Sequence, residues 1–482
     1  MDRRSFIQRG ILLAGAMCVD LKSFAHGVEQ MGKPKLKIGI LSDVHIRKDN
    51  TLQPLEKAFR YFRDNNVDGV IIAGDMADYG LYSQLQKLAD TWFKVFPDDK
   101  APDGHHVERL FVYGNHDMEG YTYGSFKRDY KEEERPTIIK SQAISNDRAA
   151  VWKQLFHEQY APFYIKDVKG YKFVGAHWAN WTSMPGLDNF LTAHKSELVG
   201  EKPFFYFQHF HPYNTCSGPW AWGHDDGGST KALSRFPNCI AFSGHSHLTL
   251  TDEKDLWQGS FISIGTSSLS YIGAEGAREN TAPLRLHADI APQMDKLNTY
   301  NGKQGMLMTV YSDYIIIHRR EFVHDHQLGP DWVIPLPASA GKTLTFSYRK
   351  DHTEAPEFDP QARATVTQAI GKDRKGIKRQ QLTIHFPSIT SQGNHLRAYD
   401  YTVEAQRQIA DVIETIMSKN VFSKNYYMSE EDDKDEVTCV FCAEELAPAK
   451  QIRFIIRPNN CFGKTGKGIT TEWITIKRES EI

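Results

Sequence analysis

Five short segments gather aspartate, histidine and asparagine, each just after an apolar run: Ser42-Asp43-Val44-His45, Gly74-Asp75, Gly114-Asn115-His116-Asp117, Gln208-His209-Phe210-His211-Pro212 and Ser243-Gly244-His245-Ser246-His247. Carboxylate, imidazole and carboxamide donors without a thiolate suit Mn, Fe, Zn, Co or Ni rather than soft Cu(I). Asp43 and His45 stand two residues apart, as do His245 and His247, so in an extended segment each pair faces one way. Asp75 has two carboxylate oxygens, enough to bridge two ions, and Asn115 adds an oxygen without adding charge. Its neighbour His116 is expected to point elsewhere, toward substrate, with Asp117 available to orient its ring. Glycines 74, 114 and 244 allow sharp turns beside these residues. Buried charges of this kind are costly unless a cation or partner compensates them.

The apolar runs that precede the segments read as strands: Lys35–Leu41, Gly69–Ala73, Arg109–Tyr113, Phe204–Gln208 and Ile240–Ser243, with others at Tyr171–Ala176 and Phe261–Ile264. Leu55, Ala58, Phe59 and Phe62 repeat at helical spacing between the first two, and Leu85, Leu88 and Trp92 do so after the second. Ligands of α/β sheets gather at such strand ends. The pattern predicts a layered α/β sandwich over residues 35–338, in which the stretch from Gly273 to Gly302 lacks periodicity and reads as a long functional loop. Trp332–Pro337 closes this region and Ala338–Lys342 reads as a linker. Beyond it, Thr343–Tyr348, Gln381–Phe386, Glu436–Phe441 and Gln451–Ile456 read as short strands, with Val403–Met417 the one helix. That predicts a smaller all-β sandwich, immunoglobulin- or fibronectin-like, over residues 343–482.

In order, the five segments read DxH, GD, GNHD, H and GHxH. That ordered set, across roughly residues 35–337, resembles the calcineurin-like metallophosphoesterase family. The resemblance implies two metal ions, one held by Asp43, His45, Asp75 and His247, the other by Asp75, Asn115, His209 and His245. It implies in-line attack on phosphorus by a hydroxide shared between the ions, with His116 stabilising the phosphoryl oxygens or protonating the leaving group. The fourth block of the family usually reads His-x-Pro, whereas this chain has His209-Phe-His211-Pro212. His209 directly follows its strand and is the expected ligand; His211 is the rival, or else a substrate contact. Purple acid phosphatases resemble the chain in pairing a β-sandwich with this fold, but carry a tyrosine three residues after the bridging aspartate. Here Asp78 holds that place and Tyr79 the next. The Ser-Asp-x-His form is more similar to the branch that includes phosphodiesterases, an analogy that fixes no substrate. Trp178, Trp181, Trp220 and Trp222 either wall the cleft as substrate contacts or close the core.

Of the 482 residues 40% are hydrophobic and 24% charged, ordinary for a globular protein, and the formal net charge is -2. This balance, without a basic stripe, disfavours a nucleic-acid partner; the resemblance implies a small-molecule phosphate ester as substrate. The N-terminus reads as an export signal over residues 1–25, with Arg3-Arg4 like a twin-arginine pair, an apolar run Ile11–Val19 too short to span a bilayer, and Ser23-Phe24-Ala25 as cleavage site. A Sec-type signal is the alternative, and Cys18 is a weak lipid-anchor candidate. A periplasmic or cell-surface location follows, in which Cys216 and Cys239 form a candidate disulfide. The competing functional class is an extracytoplasmic binding or structural protein that works through its β-domain and keeps a vestigial metal site.

Overall fold

The computed structural model describes residues 32–47, 52–178, 184–216, 224–273, 302–373, 375–389, 397–423 and 436–477. The expected export segment with Cys18, Trp181, Trp220 and Trp222, and the aperiodic residues 274–301 lie outside them. The chain forms two compact units, whose described parts are residues 32–273 with 302–352, and residues 353–477.

In the first unit β1 (Leu36–Leu41), β2 (Gly69–Ala73) and β3 (Glu108–Val112) run parallel. Between them stand α1 (Leu52–Asp64) and α2 (Tyr82–Val95). β2 is buried along its whole length, which is why it reads as a continuous apolar run rather than an alternating one. Strands β4 (Phe163–Val168), β5 (Tyr171–Ala176), β6 (Phe204–Phe207), β7 (Cys239–Ser243), β8 (Leu256–Gln258) and β9 (Ile262–Gly265) build a second sheet in the order β4-β5-β6-β7-β9-β8. Its β5, β6, β7 and β9 are parallel. The chain then returns to the first sheet through β10 (Gln304–Val310), β11 (Tyr314–Glu321) and β12 (Trp332–Pro335), giving the order β12-β11-β10-β1-β2-β3.

The inner faces of the two sheets share one core, with Ile38, Ile40, Ile71 and Leu110 against Phe173, Phe205, Ile240 and Phe242. On the far side of the first sheet, Leu55, Phe59, Phe62, Leu85 and Trp92 cover Val70, Ile72 and Phe111. On the far side of the second, Leu187, Leu191, Leu198 and Leu233 cover Val174, Tyr206 and Ala241. Each such side chain contributes about 1.5–3 kcal/mol relative to exposure. The result is the expected layered α/β sandwich, helices outside and two sheets within.

Thr343–Tyr348 is not a strand. Residues Phe346–His352 form a helix, and Arg349 within it pairs with the buried Glu253 carboxylate at 2.7 Å and donates to the carbonyl of Leu256 at 2.5 Å. This stretch therefore belongs to the first unit. The second unit carries β13 (Thr365–Lys372), β14 (Lys378–Phe386), β15 (Asp400–Ile409), β16 (Val412–Phe422), β17 (Val437–Cys442), β18 (Gln451–Asn459), β19 (Ile469–Thr470) and β20 (Ile474–Thr475). One sheet runs β13-β14-β17; the other runs β16-β15-β18-β19, with β20 also on β18. Leu382, Ile384 and Phe441 of the first meet Tyr401, Val403, Phe454 and Ile456 of the second in a common core. The helix expected at Val403–Met417 is instead the antiparallel hairpin β15–β16. Tyr401, Val403 and Ala405 alternate inward, and Ala410 turns the chain at φ 52°; the period of two wins over helix propensity. Cys216 and Cys239 are both buried free thiols, not a disulfide.

Candidate metal centre

The five polar segments leave β1, β2, β3, β6 and β7, and backbone hydrogen bonds lace several of them together. Asp43 N–H donates to the Gly74 carbonyl (3.0 Å), His45 N–H to Asp75 (2.9 Å), and Gly244 N–H to His209 (2.9 Å). Ser268 Oγ donates to the Asp43 carbonyl at 3.0 Å. Asp43, His45, Asp75, His245 and His247 take left-handed backbones, with φ of 51°, 46°, 52°, 70° and 56°. The segments are therefore not simply extended. Each such non-glycine residue costs roughly 1–2 kcal/mol, strain that persists where tertiary bonds over-determine the loop. Gly74 turns at φ 95°. Gly114 and Gly244 are needed for their size instead, since a methyl group at either would strike the Asp75 or the Asp43 carboxylate.

Three imidazoles have their tautomers fixed. His209 Nδ1 donates to the Ala73 carbonyl (2.8 Å), His247 Nδ1 to the Tyr271 carbonyl (3.0 Å) and His45 Nδ1 to Asp78 Oδ1 (2.9 Å). Each ring then offers a lone pair at Nε2. His45 Nε2 lies 3.1 Å from His247 Nε2, which lies 2.9 Å from Asp43 Oδ1. His209 Nε2 lies 3.0 Å from Asp75 Oδ2 and 3.2 Å from His245 Nδ1. Acceptors facing one another at such distances repel unless positive charge lies among them. Asp43 Oδ1 and Asn115 Oδ1 are buried without a hydrogen-bond donor, a condition rare in proteins. Three donor groups result among the described residues: Asp43 with His45 and His247, Asp75 with His209 and His245, and, adjoining the first, His45 with Asp78 and His116. Asp75 Oδ2 stands 3.6 Å from His45 Nε2 as well, so it belongs to the first and the second. Its other oxygen accepts the His116 N–H at 2.8 Å, leaving one oxygen rather than two to bridge. The side chains of the first two groups and of Asn115 belong to residues no more than 8% exposed. The donor set fits a pair of cations.

Proton affinities carry the same message. Burial disfavours the Asp43 and Asp75 carboxylates, but is outweighed by His247 and His209 for the first and by His209 and His116 for the second, so both lie below the usual carboxylate range. Burial also opposes protonation of His45 and His209. The Asp43 and Asp78 carboxylates nonetheless hold His45 well above its ordinary value, and Asp75 with Asp43 pushes His209 to about 9. Both rings therefore take a second proton at Nε2, the atom that would otherwise hold a metal ion, whereas burial pushes His245 and His247 down.

His116 stands at the edge of the cluster, its side chain 21% exposed, edge-on to His45 with ring centroids 4.5 Å apart. Its Nδ1 donates to the Asp78 carbonyl at 2.8 Å, which leaves Nε2 for chemistry. Asp117 does not orient this ring. Its carboxylate accepts the backbone N–H groups of Ala77 (2.7 Å), Gly114 (2.8 Å) and Met76 (3.2 Å), tying the loop after β2 to the loop after β3. The partner of His116 is Asp78, which the sequence displays only as a carboxylate three residues after Asp75. Asp78 binds His45, receives Arg47 Nε–H at 2.7 Å and lies 3.5 Å from His116 Nδ1. Burial raises its proton affinity, but hydrogen bonds from His116 and His45 hold it far below the usual range.

His209, not His211, stands among the donors. Both His211 nitrogens are taken, Nδ1 by Ser243 Oγ (2.7 Å) and Nε2 by Ser246 Oγ (2.6 Å). Burial and the neighbouring His224 push it down to about 3, so it braces the His245–His247 segment as a neutral ring. Trp178 is buried in the apolar cluster with Phe210 and Leu269. Trp222 lies outside the described residues. Tyr123, unremarked in the sequence, accepts the Asn115 Nδ2–H at 2.9 Å.

The calcineurin-like phosphoesterase family matches residues 36–248. No curated protein matches the chain in sequence. Among solved structures, a dimetal phosphatase from Danio rerio is similar at 14% identity and a TM-score of 0.35, over 61% of this chain and 99% of its own. The anchor of the Plasmodium inner membrane complex is similar at 10% identity and a TM-score of 0.33, over 61% and 89%. A purple acid phosphatase from yellow lupin (Lupinus luteus) seeds is similar at 12% identity and a TM-score of 0.38, over 63% and 55%. At these scores the likenesses assign no role to any residue.

Proposed function

We infer, for a chain whose residues 36–248 belong to the calcineurin-like phosphoesterase family, that the centre is a two-ion site that hydrolyses phosphomonoesters or phosphodiesters. The observation that carries this reading is the meeting of the metal-capable atoms of Asp43, His45, Asp75, His209 and His247 in one buried cluster, each 2.9–3.6 Å from another. One ion would be held by Asp43, His45, Asp75 and His247, the other by Asp75, Asn115, His209 and His245. Their chemistry, when bound, is Lewis-acid polarisation of the phosphoryl group and a lowered pKa for the attacking water. The donor set suits Mn, Fe, Zn, Co or Ni.

The chain's own residues do the rest. Asp78 fixes the His45 tautomer, and its carbonyl fixes that of His116, so His116 presents Nε2 to the substrate. From there His116 donates a hydrogen bond to a phosphoryl oxygen or a proton to the leaving alcohol. Asp75 Oδ1 ties the His116 backbone to the ion cluster, which keeps the acid and the donors in register. We also propose export of the protein to the periplasm or cell surface. Arg3-Arg4 and the Ile11–Val19 run support it.

The test is elemental analysis of the purified protein, followed by nitrophenyl phosphate mono- and diesters with Mn, Fe, Zn and Ni. About two ions per chain and ester cleavage are expected, and Asp75→Asn should abolish both. Protein loaded with metal that cleaves neither ester class would refute the reading.

A further inference from the structure

We propose that Tyr123, together with Glu119, decides which end of the Asn115 side chain faces the second ion; the inference rests on the two-ion reading above. An asparagine amide has one acceptor end and one donor end of nearly equal shape. Only the oxygen can hold a metal, so a ligand asparagine needs something to forbid the flipped rotamer.

The chain supplies it within nine residues. Asn115 opens the short helix Asn115–Glu119, and Tyr123 follows in the next turn. Tyr123 Oη donates to Glu119 Oε1 at 2.7 Å. A carboxylate can only accept, so the tyrosyl proton is committed to it. The Tyr123 oxygen is left with lone pairs alone, and these accept the Asn115 Nδ2–H at 2.9 Å. Flipping the amide would set its oxygen against those lone pairs and its NH2 against the ion, two repulsions at once. In the observed rotamer Asn115 Oδ1 is buried with no hydrogen-bond donor of its own. The Tyr123 ring also leans on His116, centroids 4.6 Å apart. Tyr123 is thus a positioning residue: it acts on the ion through Asn115.

Control of the amide by polarity predicts an outcome that mere packing does not. An aspartate has two equivalent ends and needs no such guide. Isothermal titration of chelator-stripped full-length protein with Mn(II) should give two sites. Tyr123→Phe should weaken one of them by about 10–100-fold, the range for partners that orient a ligand, and leave the other unchanged. In an Asn115→Asp background the same Tyr123→Phe change should have no effect or strengthen that site, because the tyrosyl lone pairs then face a carboxylate oxygen. Glu119→Ala frees the tyrosyl proton and should weaken the same site selectively, which provides the test if Tyr123→Phe does not fold. No weakening in Tyr123→Phe, or equal weakening in both backgrounds, would overturn the proposal. A wild-type protein that binds fewer than two ions would instead overturn the two-ion reading itself and the inference with it.

Discussion

Asp78→Asn changes one oxygen to an NH2 and tests whether tautomer control holds the centre together. In the wild-type protein Asp78 Oδ1 accepts from His45 Nδ1 at 2.9 Å, and Oδ2 accepts from Arg47 Nε at 2.7 Å. Both partners donate, so the carboxylate satisfies both; an asparagine has a single oxygen. Arg47 has no acceptor to offer, so the oxygen turns to Arg47 and the new NH2 meets His45 Nδ1. His45 then accepts at Nδ1 and carries its proton at Nε2, the nitrogen that stands 3.1 Å from His247 Nε2. One ligand lone pair is lost while the ring stays in place. Changes to such orienting partners cost about 10–100-fold in metal affinity, which is about 1.4–2.7 kcal/mol. Competition against a chromophoric chelator reads the affinity, and turnover on nitrophenyl esters should fall with it. The double change Arg47→Ala/Asp78→Asn removes the demand of the half-exposed guanidinium, so the amide oxygen can return to His45 and recover part of the loss. Unchanged metal affinity in Asp78→Asn, or a double variant no better than the single one, would mean that Asp78 does not set the His45 tautomer.

His116→Ala keeps the backbone N–H that binds Asp75, so it should retain both ions by elemental analysis while turnover falls by about 10²–10⁴-fold, the range for a lost general acid. Gly244→Ala drives a methyl group into Ser42 and the Asp43 carboxylate, and denaturant melts should show a loss of about 1–3 kcal/mol, the cost of overpacking, together with lost metal. His177 accepts the Tyr113 N–H at 3.0 Å and is pushed down to about 3, chiefly by burial. The unfolded chain therefore binds a proton that the folded chain refuses between pH 6.5 and 3, so stability falls as pH falls through that window. The share from His177 between pH 6.5 and 4.5 is about 2–3 kcal/mol. Urea midpoints should show a shallower acid slope in His177→Asn; identical slopes would refute the assignment.

Where one physical constraint dominated, the sequence was legible. β2 is buried on both faces, and its five apolar residues announced it. The covering helices announced themselves through Phe59, Phe62, Leu85 and Trp92 at helical spacing. The hairpin β15–β16 was misread because Val403–Met417 mixes long polar side chains with apolar ones, and pairing with β18 decides what local preference leaves open. Helix Phe346–His352 was misread for a similar reason: its anchor, Glu253, lies far away along the chain.

At the site, residue type alone carried the donor inventory, since only Asp, His and Asn at strand ends combine hard oxygen and imidazole ligands. Which nitrogen each histidine offers, which oxygen of Asp75 is free, and that Asp117 ties loops while Asp78 holds His45 and His116, depend on hydrogen bonds between residues far apart in the chain, from 24 positions for His247–Tyr271 to 136 for His209–Ala73. Five donors in left-handed backbone are likewise invisible in the chain, because aspartate and histidine adopt that conformation more often than most residues but only tertiary bonds decide where they do so. Composition and order named the donors; the folded backbone alone aimed their lone pairs, because hydrogen-bond direction is a property of atoms in space and not of neighbours in sequence.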